Sequence, residues 1–134
     1  MCSCNTDILI VDDSYDVLER LTDLINSSDL NKKVKCFSSA LEALLQFKDS
    51  FPSIIILDIN LPGLTGIQMM SRVRNMKITQ PVFIVLTNTT ISSYKRECLN
   101  IGADYFLDKS KDFLQIPNII RELDLASFSV ETNN

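Results

Sequence analysis

The sequence predicts an α/β domain with a doubly wound parallel sheet, and three observations carry that expectation. Three short apolar runs, Ile8–Val11, Ile54–Leu57 and Val82–Leu86, show no alternation of polar and apolar residues. Strands of this kind are buried on both faces, as in a parallel sheet between helical layers. Stretches with helical apolar spacing fill the gaps between them, so the chain reads as strand–helix repeated five times. Such alternation with short connections requires right-handed crossovers and helices on both faces of the sheet.

Each element has its own signal. After the first strand, Val17, Leu18, Leu21, Leu24 and Ile25 form one apolar stripe, and Asp13 or Ser14 caps its start. Val34–Phe37 and Tyr105–Leu107 are weaker runs with polar neighbours, which suits the sheet edges. Lys32, Lys33 and Lys35 fit a solvated edge strand, where lysine blocks unwanted pairing. A second helix is expected to carry Leu41, Leu44, Leu45 and Phe47. A third follows Gly66 with Ile67, Met70 and Val73 inward. A fourth, from about Ile91 to Asn100, stops at Gly102 in or near the left-handed conformation. The last sets Ile116, Ile119, Ile120 and Leu123 on one side. Pro117 is tolerated only in a first turn, so this helix is expected to begin near Leu114 or Gln115.

Composition bounds the function. The chain has 134 residues, enough for one domain, and 46% of them are hydrophobic, too many for disorder. Its net charge of −4 argues against a direct nucleic-acid partner, which selects clustered Lys and Arg. Cys2, Cys4, Cys36 and Cys98 do not have metal-site spacing, and no histidine is present to complete a zinc site. There is no secretory signal and no run of membrane-spanning length, so the cytoplasm is the expected compartment. The expected boundaries are an N-terminal tail over 1–6, the domain over 7–126 and a C-terminal tail over 127–134.

In a doubly wound sheet the ligand site lies at the carboxyl ends of the strands. Those ends carry Asp12, Asp13, Asp58, Thr87 and Lys109. Carboxylates gathered in one crevice repel one another: at ~4 Å and an effective dielectric near 20, each pair costs about 4 kcal/mol. A hard divalent cation relieves that repulsion through oxygen ligands, and the few protein oxygens on offer favour Mg²⁺ over Ca²⁺. A carboxylate is also a nucleophile toward phosphorus, with Lys109 and the Thr87 hydroxyl placed to hold phosphoryl oxygens. No phosphate-binding GxxxxGK[ST] loop occurs. Asp12 and Asp13 stand where a flavin phosphate would need neutral donors.

From Asp7 to about Leu125 the chain resembles the receiver domain of bacterial response regulators. The matching pieces are Ile8-Leu-Ile-Val-Asp-Asp13, Ile54-Ile-Ile-Leu-Asp58 with Leu61-Pro-Gly63 and Gly66, Ile84-Val-Leu-Thr87, and Gly102-Ala-Asp-Tyr-Phe106 leading to Asp108-Lys109. The resemblance implies a flavodoxin-like sheet of strand order 2-1-3-4-5 flanked by five helices. It makes Asp58 the phosphoacceptor. Asp13 and Asp58 would ligate Mg²⁺ through side-chain oxygens, Asp12 mainly through water, and Asn60 through its backbone carbonyl. Thr87 and Lys109 would contact the phosphoryl group, and Phe106 would be the aromatic switch, with Tyr105 on the opposite face of its strand. Two positions depart from the family pattern. Asn88 replaces a very small residue and would modulate access to the site. Ser110 replaces a proline, and a trans peptide is expected before it.

The implied function is a receiver that takes a phosphoryl group from a histidine kinase or phosphotransfer protein. It would then change the surface made by its fourth helix, fifth strand and fifth helix to control a protein partner. A monomer, or a weak dimer linked to phosphorylation, is expected, with no membrane association. It is not expected to be an enzyme beyond its own phosphoryl transfer and slow autodephosphorylation. The alternative is a phosphorylation-independent interaction module, suggested by Asn88 and Ser110. A hydrolase of the aspartyl-phosphate type would need a second aspartate where Asn60 stands. The short segment after Leu125 leaves no room for a DNA-binding helix pair, so the expectation is either a stand-alone receiver or one cut from a longer regulator.

Overall fold

The structure, a computed structural model, describes residues 6–88 and 92–132. Strands β1 (Ile8–Val11), β2 (Val34–Phe37), β3 (Ile54–Leu57), β4 (Val82–Thr87) and β5 (Tyr105–Asp108) alternate with helices α1 (Tyr15–Asn26), α2 (Ala40–Gln46), α3 (Gly66–Arg74), α4 (Ser92–Ile101) and α5 (Ile116–Thr132). The strands form one parallel sheet in the order β2-β1-β3-β4-β5. The predicted strand order and edge strands are therefore found. Among the described residues, no helix is long and apolar enough to cross a membrane.

The two faces of the sheet bury two separate clusters. Leu9, Val11, Ile55, Leu57, Phe83 and Val85 point to one face and pack with α2, α3 and Cys98 of α4. Their neighbours Ile8, Ile10, Ile54, Ile56, Ile84 and Leu86 point to the other and pack with α1 and α5. Every side chain of β1 and β3 is buried, as their unbroken apolar runs require. Tyr105 and Phe106 divide in the same way, Tyr105 toward the α1–α5 side and Phe106 toward the α2–α4 side.

Most helix ends follow the expected chemistry. Ser14 caps α1 by accepting from the Val17 N–H, so Asp13 is left free of capping. The Thr65 hydroxyl and the Gln68 side chain form a reciprocal capping box at α3. Gly102, at φ 120°, follows α4. The start of α5 is divided: a short 3-10 turn at Phe113–Gln115 leads into the helix at Ile116, which places Pro117 in the first turn.

Three expectations need correction or qualification. Helix α2 turns Ala40, Ala43 and Leu44 to the core, with Phe47 buried at its C-cap, while Leu41 and Leu45 are 51% and 66% exposed. The two small alanines let this seven-residue helix lie close to the sheet, and that choice rotates the leucines outward. Helix α5 runs to Thr132, past the point where a tail is expected. Ile91, the expected start of the fourth helix, lies outside the described residues, as do Cys2 and Cys4.

At the end of the sheet opposite the strand carboxyl termini, Arg74 acts as a clasp. Its guanidinium donates to the Gln80 side chain and the Pro81 carbonyl at 3.0 Å, and to the Gly102 carbonyl. It also stacks 4.8 Å from the Phe83 ring centroid and faces Asp104. This one side chain ties the α3–β4 and α4–β5 connections together.

Candidate phosphoacceptor site

Strand register sets the site. Val11 lies level with Leu57, so the residues that follow, Asp12 and Asp58, leave the sheet side by side. The Asp58 N–H donates to the Val11 carbonyl at 3.1 Å, and the Asp12 N–H to the Phe37 carbonyl at 3.1 Å. On the other flank Thr87 lies level with Asp108, and the Lys109 N–H donates to the Thr87 carbonyl at 3.0 Å. Parallel pairing alone thus brings Asp12, Asp58, Thr87 and Lys109 to one edge of the sheet.

The two buried carboxylates are then aimed by the same local device. Asp12 Oδ1 accepts from the Ser14 N–H at 2.9 Å, and Asp58 Oδ1 from the Asn60 N–H at 3.1 Å. Each is an aspartate bonded to the backbone two residues on, a turn that fixes the side-chain rotamer. The second oxygen of each carboxylate is left facing Lys109. The Lys109 ammonium donates to Asp12 Oδ2 at 2.7 Å and to Asp58 Oδ2 at 2.8 Å. Asp13 is exposed, and one oxygen from each of Asp12, Asp13 and Asp58 lies within 4.8 Å of the others.

Burial makes these contacts strong. The side chains of Asp12, Asp58 and Lys109 are 4%, 7% and 12% exposed, so solvent screens them poorly. Burial raises the Asp12 carboxyl above its usual range, against the opposing pull of Lys109 and the Ser14 N–H. Burial also works against the Lys109 charge, but its hydrogen bonds to Asp12 and Asp58 outweigh that and hold the ammonium above the usual lysine range. The site carries three carboxylates against one ammonium, an excess of negative charge in a poorly hydrated place. An all-oxygen donor set of this spacing fits a hard divalent cation.

Other predicted residues fall where the sequence puts them, with different surroundings. Thr87 is fully buried at the end of β4, and Asn88 is exposed just beyond it. Asn60 is exposed next to Asp58. The peptide before Ser110 is trans, as are all the described peptide bonds. Gly66 is required by a close approach: a Cβ there would stand 2.3 Å from the Asp58 carbonyl oxygen and 2.7 Å from Ile59 Cα. The start of α3 therefore presses directly on the backbone that presents Asp58. Sequence reasoning gave Asp108 no role, although its carboxylate holds the turn after β5. The Asp-x-Ser spacing of Asp108 and Ser110, the same as in Asp12 and Ser14, is the signal that points to it.

The family model for the response regulator receiver domain matches residues 8–121. The chain belongs to the response regulator receiver family. Among curated relatives, it is 27% identical to a protein-glutamate methylesterase/protein-glutamine glutaminase of Clostridium acetobutylicum, over 94% of this chain and 38% of that protein. It is 26% identical to the virulence-factor transcription regulator BvgA of Bordetella pertussis, over 83% of this chain and 52% of that protein. The receiver thus spans about two fifths to one half of these relatives. Among solved structures, the CheY-like receiver domain protein of Methanospirillum hungatei superposes with a TM-score of 0.80 at 23% identity, covering 96% of this chain and 99% of that one. The signal receiver domain of an HD domain-containing protein of Pseudomonas fluorescens gives a TM-score of 0.80 at 21% identity, covering 94% and 99%. These neighbours share the receiver fold.

Proposed function

We propose that this receiver accepts a phosphoryl group on Asp58 from a phosphohistidine of a histidine kinase or phosphotransfer protein, and that the modification changes the α4–β5–α5 surface offered to a protein partner. The observation that carries this reading is the Lys109 ammonium bonded to both Asp58 and Asp12, with Asp13 completing a carboxylate cluster within 4.8 Å.

The chemistry follows from the groups present. An Asp58 carboxylate oxygen attacks phosphorus, the P–N bond to the donor imidazole breaks, and an acyl phosphate forms. Asp12, Asp13, Asp58 and the Asn60 carbonyl would hold Mg²⁺, which supplies charge neutralisation for the phosphoryl oxygens. Lys109 already touches the acceptor oxygen, so its ammonium has only to shift from carboxylate to phosphoryl oxygen as charge moves outward. Thr87 approaches the added group through its hydroxyl, and Phe106, half-buried against the α2–α4 cluster, takes up the space this opens. Phosphorylation adds up to about two negative charges. It needs only to bias two existing states; inverting a 1:99 mixture takes about 5.5 kcal/mol. Asn88, exposed beside Thr87, sets how freely donors and water reach the acyl phosphate. The setting proposed for this exchange is the cytoplasm, where the kinase partners of this family act.

Incubation with acetyl phosphate or a cognate kinase and Mg²⁺ tests the reading. Wild-type protein is expected to take one label and Asp58→Asn none. Full-strength labelling of Asp58→Asn would remove Asp58 from its role.

A further inference from the structure

The turn that follows β5 binds every backbone N–H from Asp108 to Asp112. The Asp108 N–H donates to Asp112 Oδ2 at 2.9 Å, and the Lys109 N–H to the Thr87 carbonyl at 3.0 Å. Asp108 Oδ1 then accepts from the Ser110 N–H at 2.7 Å, the Ser110 hydroxyl at 2.5 Å and the Lys111 N–H at 3.2 Å. The Asp108 carbonyl accepts from the Lys111 N–H at 3.3 Å and the Asp112 N–H at 2.8 Å. Asp108 therefore supplies the acceptors for three consecutive residues immediately after Lys109. A lysine has four flexible side-chain bonds and loses up to about 2 kcal/mol of rotamer freedom when fixed. Pinning its backbone from both sides confines where the ammonium can reach.

We propose that Asp108, acting through Ser110, is a positioning residue that holds Lys109 on Asp58 and Asp12. This deepens the proposed function and rests on it. Asp108 Oδ1 accepts from the Ser110 and Lys111 donors, while the Lys109 ammonium pairs with Asp12 and Asp58. Those bonds, the Ser110 hydroxyl first, also keep Asp108 ionised below the usual carboxylate range. The brace uses hydrogen bonds alone, with a trans peptide before Ser110.

The test compares Asp108→Ala, Asp108→Asn and Ser110→Ala in the full chain, with two readouts. One is the maximal rate and half-saturating concentration of acetyl phosphate in phosphorylation with saturating Mg²⁺. The other is the ¹⁵Nζ signal of the Lys109 ammonium in the unmodified protein, which the buried ion pair protects from exchange. An asparagine keeps the Oδ1 acceptor, so Asp108→Asn is expected to match wild type in both. Asp108→Ala is expected to lose the protected Lys109 signal and to react about tenfold more slowly, the kinetic equivalent of 1.4 kcal/mol, at an unchanged half-saturation. Ser110→Ala, which removes a single hydroxyl, is expected to move both readouts in the same direction by a smaller step, and carries the test if Asp108→Ala does not fold. An Asp108→Ala protein, or failing that a Ser110→Ala protein, with wild-type rate and a protected Lys109 signal would overturn the proposal. So would an Asp108→Asn protein as impaired as Asp108→Ala. Failure of the wild type to phosphorylate would instead strike the reading of Asp58, while the Lys109 signal would still decide the role of Asp108.

Discussion

Replacing Lys109 by methionine removes the one cation found between two buried carboxylates and keeps most of the side-chain volume. In the wild type, the ammonium stands 2.7 Å from Asp12 and 2.8 Å from Asp58, at 12% exposure. Removing one partner of a buried ion pair typically costs about 3–5 kcal/mol, because the other charge stays desolvated. Here Asp12 is already raised above its usual range by burial, so it can take up a proton and limit the loss. A cost of about 3 kcal/mol at neutral pH is expected, which lowers the melting temperature of a domain this size by roughly 10 °C. Asp12, raised above its usual range by burial, takes up its proton more readily as the pH falls, so the loss shrinks at about pH 4.5. Saturating Mg²⁺ is also expected to stabilise Lys109→Met more than wild type, because the cation no longer competes with an ammonium. Thermal unfolding followed by circular dichroism, in chelator and in Mg²⁺ at both pH values, measures all three effects. A neutral-pH loss under 1 kcal/mol, or one equally large at the lower pH, would refute the view that electrostatics hold these side chains together.

Two further substitutions probe the same edge of the sheet. The Asp12 carboxyl is raised in the folded state, so the native protein binds more protons than the unfolded chain above 3.8, and this group's contribution falls as pH rises from 3.8 through its folded pKa. Asp12→Asn, which keeps an oxygen for Lys109, is therefore expected to be neutral or stabilising at neutral pH without Mg²⁺ and to show a smaller Mg²⁺-induced rise in melting temperature; a clear destabilisation in chelator would contradict that sign. Gly66→Ala sets a methyl group against the Asp58 carbonyl and Ile59 Cα, neither of which can rotate away. It is expected to cost about 1–3 kcal/mol in chemical denaturation and to slow Asp58 phosphorylation, and a variant with wild-type stability would show that α3 does not brace the Asp58 turn.

The parts of this molecule that were legible in the sequence are those where one physical demand dominates. Ile8–Val11 and Ile54–Leu57 could only be strands covered on both faces, and both are fully buried. Parallel register then carried Asp12, Asp58, Thr87 and Lys109 to one place. Legibility failed where several weak preferences compete. Leu41, Leu44, Leu45 and Phe47 were expected on the second helix with no face assigned, and the structure buries Leu44 and Phe47 with Ala40 and Ala43 while leaving Leu41 and Leu45 exposed. The direct bond between Lys109 and Asp58 was not anticipated either. Lys109 was expected to meet a phosphoryl oxygen, whereas in the unmodified protein the Asp58 carboxylate itself occupies that ammonium. The aspartate turns at Asp12, Asp58 and Asp108 share a two-residue spacing that is common in loops. Only their joint arrangement around Lys109 distinguishes them from ordinary turns.

Of the two carboxylates held against Lys109, Asp58 is the one expected to take up phosphorus through a carboxylate oxygen. Borohydride reduction converts an acyl phosphate on aspartate to homoserine, and peptide mass spectrometry then reads the modified position. After treatment of the wild-type chain with acetyl phosphate and Mg²⁺, homoserine is predicted at position 58 and at no other aspartate. Homoserine at position 12 or 13 in its place, or a fully unmodified Asp58, would contradict the account.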